Sequence, residues 1–417
     1  MNLNPIHLIY SLKPKKREHY FILSSVLMCI SHLFQNGTLG AYCFLAISVF
    51  MFFAVLVSKL RTNPLRGAAR FWYFILAFWT ILLTAMVLFT GTQGLGNNFS
   101  QYFASNNMLP NLIPLMVLCY GFAYRYDLRY LFNALLVFCI VYIVTSIIAL
   151  PEVLAKGAII QMIGLEGNGE EYTSMIAAAG TMISFFPGFL CLFCMKYLKK
   201  KETALFLTAC ILQLFIMLYM ARRGQSVLQL LNFFLFWYIY QGRDSRSFLV
   251  RAIRVLAIVT IAYLLWSNYD GTLFSIMKER QEVDSRGGMA EGFISTMSTK
   301  DWIIGRGWFG QYYESWLGEM RAGLEIGFLN LILKGGLLYL IPYIMTLSIC
   351  AYKGLIRSNN YLCRAFGAIA FVRIVSLIPF GVAYFTIQEM VVWTGVMICN
   401  SPYYLNMTDQ EVYQEIQ

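Results

Sequence analysis

Runs of about twenty residues with no polar face recur along this chain and leave it few ways to fold. Phe71–Thr90 and Leu131–Leu150 are apolar all round, not along a single stripe. Helices of that kind are buried in a large core or in lipid. In lipid the backbone must satisfy its own hydrogen bonds, which leaves helices or closed barrels. A barrel would show alternating segments of about ten residues, and these runs do not alternate. Charged residues make up 13% of the 417, against roughly a quarter in soluble domains. The expectation is an all-α polytopic membrane protein of about twelve transmembrane helices. They fall near 20–34, 38–58, 70–90, 110–124, 128–150, 173–196, 203–220, 225–241, 248–266, 325–352, 362–380 and 386–404.

The basic residues orient these spans. With the N-terminus in the cytoplasm and strict alternation, six cytoplasmic segments hold 21 of the 32 Lys and Arg, among them Lys13–Arg17, Lys196–Lys201 and Arg243–Arg254. Gly91–Leu109, on the opposite side, has no charge, and Pro151–Tyr172 has four Glu and one Lys. Such a bias marks the cytoplasmic side and puts both termini there. The net charge of +11 therefore reports topology, not nucleic-acid binding. The organisation expected is nine helices over 1–266, a large outer loop over 267–324, and three helices with a short cytoplasmic tail over 325–417. Glu152–Leu165 is expected as an amphipathic stretch on the outer surface.

The outer loop, Ser267–Leu324, is unlike the rest: 14 of its 58 residues are charged and three are Trp. Several chemistries are missing from it. The three histidines, His7, His19 and His32, all lie near the N-terminus, so imidazole acid–base chemistry is not available in the loop. No phosphate-binding loop of the Walker type occurs. Gly305-Arg306-Gly307-Trp308-Phe309-Gly310 fits G-x-G-x-x-G but follows no strand. It is read instead as a glycine turn that lets backbone approach a ligand or the bilayer surface. No metal-ligand cluster is visible, and Glu279, Glu282 and Asp284 read as a solvated face. The ten cysteines lie mostly in apolar runs; Cys191 and Cys194, though spaced as C-x-x-C, read as small packing residues.

Some cations defy the topology rule. Arg222 and Arg223 sit at the outer end of a span, Lys334 and Arg373 fall inside spans, and the outer loop carries Arg286, Arg306 and Arg321 among others. Intramembrane charge is costly and is normally paired or functional.

Four elements of the C-terminal half then form a pattern: Asp284-Ser285-Arg286-Gly287; Trp302-Ile303-Ile304-Gly305-Arg306-Gly307; Glu325-Ile326-Gly327-Phe328-Leu329-Asn330; and Lys334-Gly335-Gly336-Leu337. Arg222-Arg223-Gly224, with Ser226 after it, adds an arginine element at the outer end of an earlier span. Over about seventy residues this resembles the bacterial O-antigen polymerase and ligase superfamily. The resemblance implies a GT-C-like glycosyltransferase bundle in the inner membrane, with its active site at the periplasmic face. The substrate it implies is an undecaprenyl-diphosphate-linked oligosaccharide, with membrane lipid, a chain-length regulator and a flippase as partners. No cofactor or metal is expected. Ligases of the superfamily carry His at the mouth of the span after the large loop; this chain has Glu325 there, which favours polymerase over ligase.

On that reading Arg222, Arg223, Arg286 and Arg306 grip the diphosphate, because Arg stays charged and binds oxygens in pairs; a lipid-headgroup contact is the plainer use. Glu325 is the candidate base, or a carboxylate favoured at a helix N-terminus. Asn330, Lys334 and Arg373 are supporting residues; Lys334 has an acid across the bundle or the leaving group as its partner. Trp302, Trp308, Trp316, Tyr312 and Tyr313 suit either sugar stacking or an interfacial aromatic belt. The rival of another class is a lipid-linked oligosaccharide flippase or transporter; transporters usually show internal repeats, and none is visible.

Overall fold

The computed structural model describes residues 19–20, 23, 57–60, 65–90, 123–163, 187–219, 223–240, 285–308, 310–314, 318–321, 323–324, 326–378 and 387–417. Its helices are α1 (Ala68–Thr90), α2 (Leu128–Ile163), α3 (Pro187–Phe193), α4 (Lys200–Tyr219), α5 (Arg223–Tyr240), α6 (Ser285–Thr296), α7 (Thr299–Ile304), α8 (Gly327–Gly335), α9 (Leu337–Tyr352), α10 (Tyr361–Ser376), α11 (Ile387–Asn400), α12 (Pro402–Asn406) and α13 (Asp409–Ile416). Two small antiparallel ladders interrupt the helical pattern: β1 (Val57–Leu60) with β2 (Ala123–Tyr126), and β3 (Tyr312–Glu314) with β4 (Glu319–Arg321). The protein is thus mostly helical rather than purely so.

Leu128–Ile148 and Leu337–Arg357 are long and apolar enough to cross a membrane. The helices are apolar outside as well as inside. On α1, Tyr73, Leu76, Thr80 and Leu83 face the core, while Phe71, Phe74, Phe78 and Ile81, spaced by three and four, are exposed. Ile140, Val144, Ile147 and Ile148 on α2 and Leu207, Ile211 and Phe215 on α4 repeat the arrangement. In water such faces would be an association hazard; a lipid surround removes the penalty. The bundle core is formed by α1, α9, α10 and α11 on one side and α2, α3, α4 and α5 on the other, with α10 touching both sets.

One end of the bundle gathers four of the six basic segments expected on a single side, those around Lys59, Arg125, Lys196 and Lys353; Lys13–Arg17 and Arg243–Arg254 lie outside the described residues. Lys59 of β1 stands opposite Arg125 of β2. The Tyr126 amide donates to Tyr404 Oη at 2.5 Å. Asn360 caps α10 by accepting from the Cys363 amide at 2.8 Å, and its Nδ2 donates to the carbonyls of Tyr404 and Met407. Asp409 Oδ1 accepts from Tyr197 Oη and from the Tyr361 amide. Lys353 Nζ reaches Asn400 Oδ1 at 2.8 Å. The expected short tail is therefore docked. Thr408 and Glu411 form a capping box at the start of α13, and Val412 and Ile416 are buried.

Two expectations change. The helix expected to end near residue 150 continues through Pro151 to Ile163, so the first part of Glu152–Leu165 extends a long helix. The span expected over 325–352 is not continuous: Gly336, at φ 66° and ψ −169°, ends α8 and begins α9. Both pieces are apolar, so hydropathy does not register the break.

Candidate functional site

The helix α8 lies between the bundle and the polar loop, and the Gly305-Arg306-Gly307 turn meets the Lys334-Gly335-Gly336 element at its end. Its last four carbonyls, which have no partner within a helix, are each accounted for. Ile332 O accepts from the Gly336 amide at 2.8 Å, Leu333 O from the Arg306 amide at 2.7 Å, and Lys334 O from the Gly307 amide at 3.0 Å. Gly335 O accepts from Trp79 Nε1 of α1 at 2.8 Å. The Gly-Arg-Gly turn and the Lys-Gly-Gly element thus form one clasp, 31 residues apart in sequence at Gly305 and Gly336.

Glycine is required on both sides of this clasp. A Cβ on Gly336 would stand 2.1 Å from Ile303 O; one on Gly305 would stand 2.6 Å from Gly335 N. The turn was expected to approach a ligand or the bilayer surface; its backbone instead approaches the end of α8.

Arg306 reinforces the clasp. Its Nε and Nη2 donate to Asp301 Oδ2 at 3.1 and 3.0 Å, Nη1 donates to Gln311 O at 2.6 Å, and Nη2 also reaches Thr296 O. All three nitrogens are engaged by the loop itself, so a diphosphate contact by Arg306 would require exchange of these partners. Asp301 also closes the capping box of α7 with Ser298. Partial burial pushes the Asp301 carboxyl up, but hydrogen bonds from Ser298 and Arg306 outweigh it and hold the group below its ordinary 3.8. Lys334 is 4% exposed, and its Nζ donates to Gly310 O at 3.1 Å. A cation in the last turn of a helix is favoured by the helix dipole, which gives Lys334 a place in holding the loop.

A small core joins the loop to α8: Phe293 of α6, Met297, Tyr312, Leu324, and Ile332 and Leu333 of α8, with Trp302 against them. Trp308 packs edge-on to Tyr339 with ring centroids 5.7 Å apart. Trp308 and Tyr312 are fully buried, so sugar stacking is not their role here: their area fills the interface of loop and bundle. Tyr313 is exposed; Trp316 lies outside the described residues. Glu314 is fully buried, with Arg321 Nη1 donating to it at 2.9 Å.

At the other end of α8, the amides of Gly327 and Phe328 donate to Leu377 O at 2.8 and 3.3 Å. The start of α8, three residues before Asn330, therefore abuts the end of α10, where Arg373 lies. Arg373, expected as a supporting residue, is held by an ion pair with the next helix. Its Nη2 pairs with Glu389 Oε1 of α11 at 2.5 Å, both side chains 4% exposed, and its Nη1 donates to Ser376 Oγ at 3.0 Å.

Asn330 is half-buried on α8, its amide bonded to Ile326 O at 2.9 Å. Arg222 and Glu325 lie outside the described residues. Arg223 opens α5 and Arg286 is the second residue of α6; the backbone places them, and their side chains are not described.

Sequence reasoning passed over Glu389, Glu314 and Asp301. Glu389 was within reach: it is an acid inside the expected span 386–404, subject to the same rule that singled out Arg373. Glu314 and Asp301 carry no such signal, since acids are ordinary in a polar loop. Among the described residues no group of three or more His, Cys, Asp or Glu is placed to hold a metal ion. Compared with protein-family models, curated proteins and solved structures, the chain matches none.

Proposed function

We propose that the chain is a repeat-unit polymerase of the bacterial inner membrane, a glycosyltransferase built on about twelve spans in a GT-C-like bundle. It moves a growing glycan from undecaprenyl diphosphate to the sugar of the next lipid-linked repeat at the periplasmic face. The observation that carries this reading is the assembly on α8. The Gly-Arg-Gly turn is remote in sequence from the Lys-Gly-Gly element, yet its amides cap this nine-residue helix, which carries Gly327, Asn330 and Lys334. The end of the bundle that gathers Lys59, Arg125, Lys196 and the tail is the cytoplasmic one in this reading, which puts α8 and the loop core outside.

In the reaction an acceptor hydroxyl oxygen attacks the anomeric carbon of the donor. The bond from that carbon to the phosphate oxygen breaks, and undecaprenyl diphosphate leaves with the electron pair. Arg222, Arg223 and Arg286 balance the charge of the leaving group, and Arg306 keeps the loop in place. Glu325 takes the hydroxyl proton. Asn330 lies mid-helix on α8 and Lys334 in its last turn, both as supporting residues, and a flippase and a chain-length regulator would supply substrate and set product length.

The test is purified protein in nanodiscs with undecaprenyl-diphosphate-linked repeats, read as a glycan ladder. A general base contributes about 10²–10⁴-fold, so Glu325→Gln is expected to lose polymer by that factor while remaining folded. Folded wild-type protein that forms no ladder would overturn the reading; a Gln variant at the wild-type rate would remove only the base assignment.

A further inference from the structure

The Arg373–Glu389 pair is unusual for its setting. Both side chains are 4% exposed at 2.5 Å separation, between two helices of an apolar bundle. Desolvating two charges costs several kcal/mol per ion, and apolar residues of similar volume are often at least as stable. The guanidinium is also under-used: Nε has no hydrogen-bond partner among the described residues. The pair lies beside the start of α8, because Leu377, four residues after Arg373, accepts the amides of Gly327 and Phe328. Glu389 stands in the first turn of α11 and Arg373 in the last turn of α10, so both belong to the end of the bundle where Gly327 and Phe328 dock on Leu377.

We propose that Glu389 is a placeholder for the diphosphate of the lipid-linked substrate: Arg373 exchanges the Glu389 carboxylate for a phosphate oxygen when substrate binds and returns to it when product leaves. This rests on the polymerase reading above and adds to it a positioning residue, Glu389, which acts through Arg373. A carboxylate and a phosphate oxygen present the same kind of acceptor to guanidinium, so exchange keeps Arg373 paired throughout and avoids an uncompensated buried cation. Glu389 then weakens diphosphate binding and hastens its release. Around Arg373 the described polar neighbours are Ser376 on its own helix, Tyr343 on α9 and Glu389 on α11; Glu389 is the acid among them.

The experiment measures binding of farnesyl diphosphate to the full chain in phosphatidylcholine nanodiscs, beside turnover of lipid-linked repeats. If the pair is closed in about nine molecules of ten, removing the competitor tightens apparent affinity about tenfold. Glu389→Gln is therefore expected to bind farnesyl diphosphate about tenfold more tightly, with KM and kcat falling together as release slows. Should Glu389→Gln fail to fold, Glu389→Asp keeps the charge at a longer reach and is expected to tighten binding by a smaller factor. Arg373→Lys, which keeps the pair but loses the two-pronged grip, is expected to bind more weakly.

Equal or weaker binding by both Glu389 variants overturns the proposal, because a merely structural pair gives that result. Farnesyl monophosphate and phosphatidylglycerol nanodiscs distinguish the phosphate source. If phosphatidylglycerol alone shows the dependence on Glu389, the anion is a headgroup and the diphosphate assignment is overturned. Wild type that binds with this dependence yet makes no ladder refutes the polymerase reading and leaves the exchange standing.

Discussion

Replacing Gly336 by Ala tests the clasp that holds α7 and the Gly305-Arg306-Gly307 turn to the bundle. Gly336 sits at φ 66° and ψ −169°, a region that is essentially glycine-only and costs about 1–3 kcal/mol for other residues. The new Cβ would lie 2.1 Å from Ile303 O and 2.5 Å from Ile304 N. These are backbone atoms of α7, so no side chain can swing away. Separating α7 from α8 would break the bonds from the Arg306 and Gly307 amides to Leu333 O and Lys334 O, worth about 1 kcal/mol each. The expected loss is about 3–5 kcal/mol in all.

Two controls separate the contributions. Gly307 is at φ 84° with nothing within 4 Å of a built Cβ, so Gly307→Ala isolates backbone strain; Gly323 has open space and no positive φ, so Gly323→Ala should be near neutral. With Cys29, Cys43 and Cys119 replaced by Ser, thermal unfolding in detergent can be followed with a thiol-reactive dye, because the cysteines among the described residues, Cys139, Cys191, Cys194, Cys210, Cys350, Cys363 and Cys399, are all buried. Midpoints should fall in the order Gly323→Ala, Gly307→Ala, Gly336→Ala, with new protease cleavage between α6 and β3 in the last. Gly336→Ala unfolding with Gly323→Ala, and no new cleavage, would refute the clasp.

Three further outcomes are expected. Because the folded Asp301 carboxyl sits below its ordinary 3.8, its contribution to stability is present above that value and is lost as pH falls through the lower, folded value. Protease sensitivity of the loop should therefore be flat from pH 7 to 5 and rise below about pH 3.8, with Asp301→Asn sensitive throughout. Asn360→Ala removes the cap of α10, worth about 1 kcal/mol, together with both bonds to the tail; α12 and α13 should then become protease-sensitive while the bundle stays folded. In a cysteine-free background, a cysteine at Ser298 should label in intact cells and one at Gln410 only after permeabilisation. The reverse pattern would invert the orientation and remove the periplasmic site.

The long apolar helices among the described residues were legible in the sequence, whereas the short α6, α7, α12 and α13 were not, and the spans expected near 20–34, 38–58, 110–124 and 248–266 lie almost wholly outside the described residues. The all-round apolarity of Phe71–Thr90 and Leu131–Leu150 is a local property and marks α1 and most of α2 directly. The clustering of basic residues predicted that the segments around Lys59, Arg125, Lys196 and Lys353 share an end, because alternation of spans is a counting rule. The break at Gly336 was not legible: hydropathy averages over residues and takes no account of φ, and Leu331–Leu340, with Lys334 its one charged residue, reads as apolar on average through a backbone that turns.

Tertiary structure also decided the partnerships. The cation rule singled out Arg373, but only packing of α10 against α11 brings Glu389 to it across 16 residues. Arg306 looked like a free diphosphate contact, and only the fold shows its nitrogens held by Asp301, Thr296 and Gln311. Composition and periodicity follow from each segment's own contact with lipid or water, so one sequence suffices to read them. A partner across the fold depends on which backbones can approach, and that was settled by Gly305 and Gly336 meeting without side chains between them.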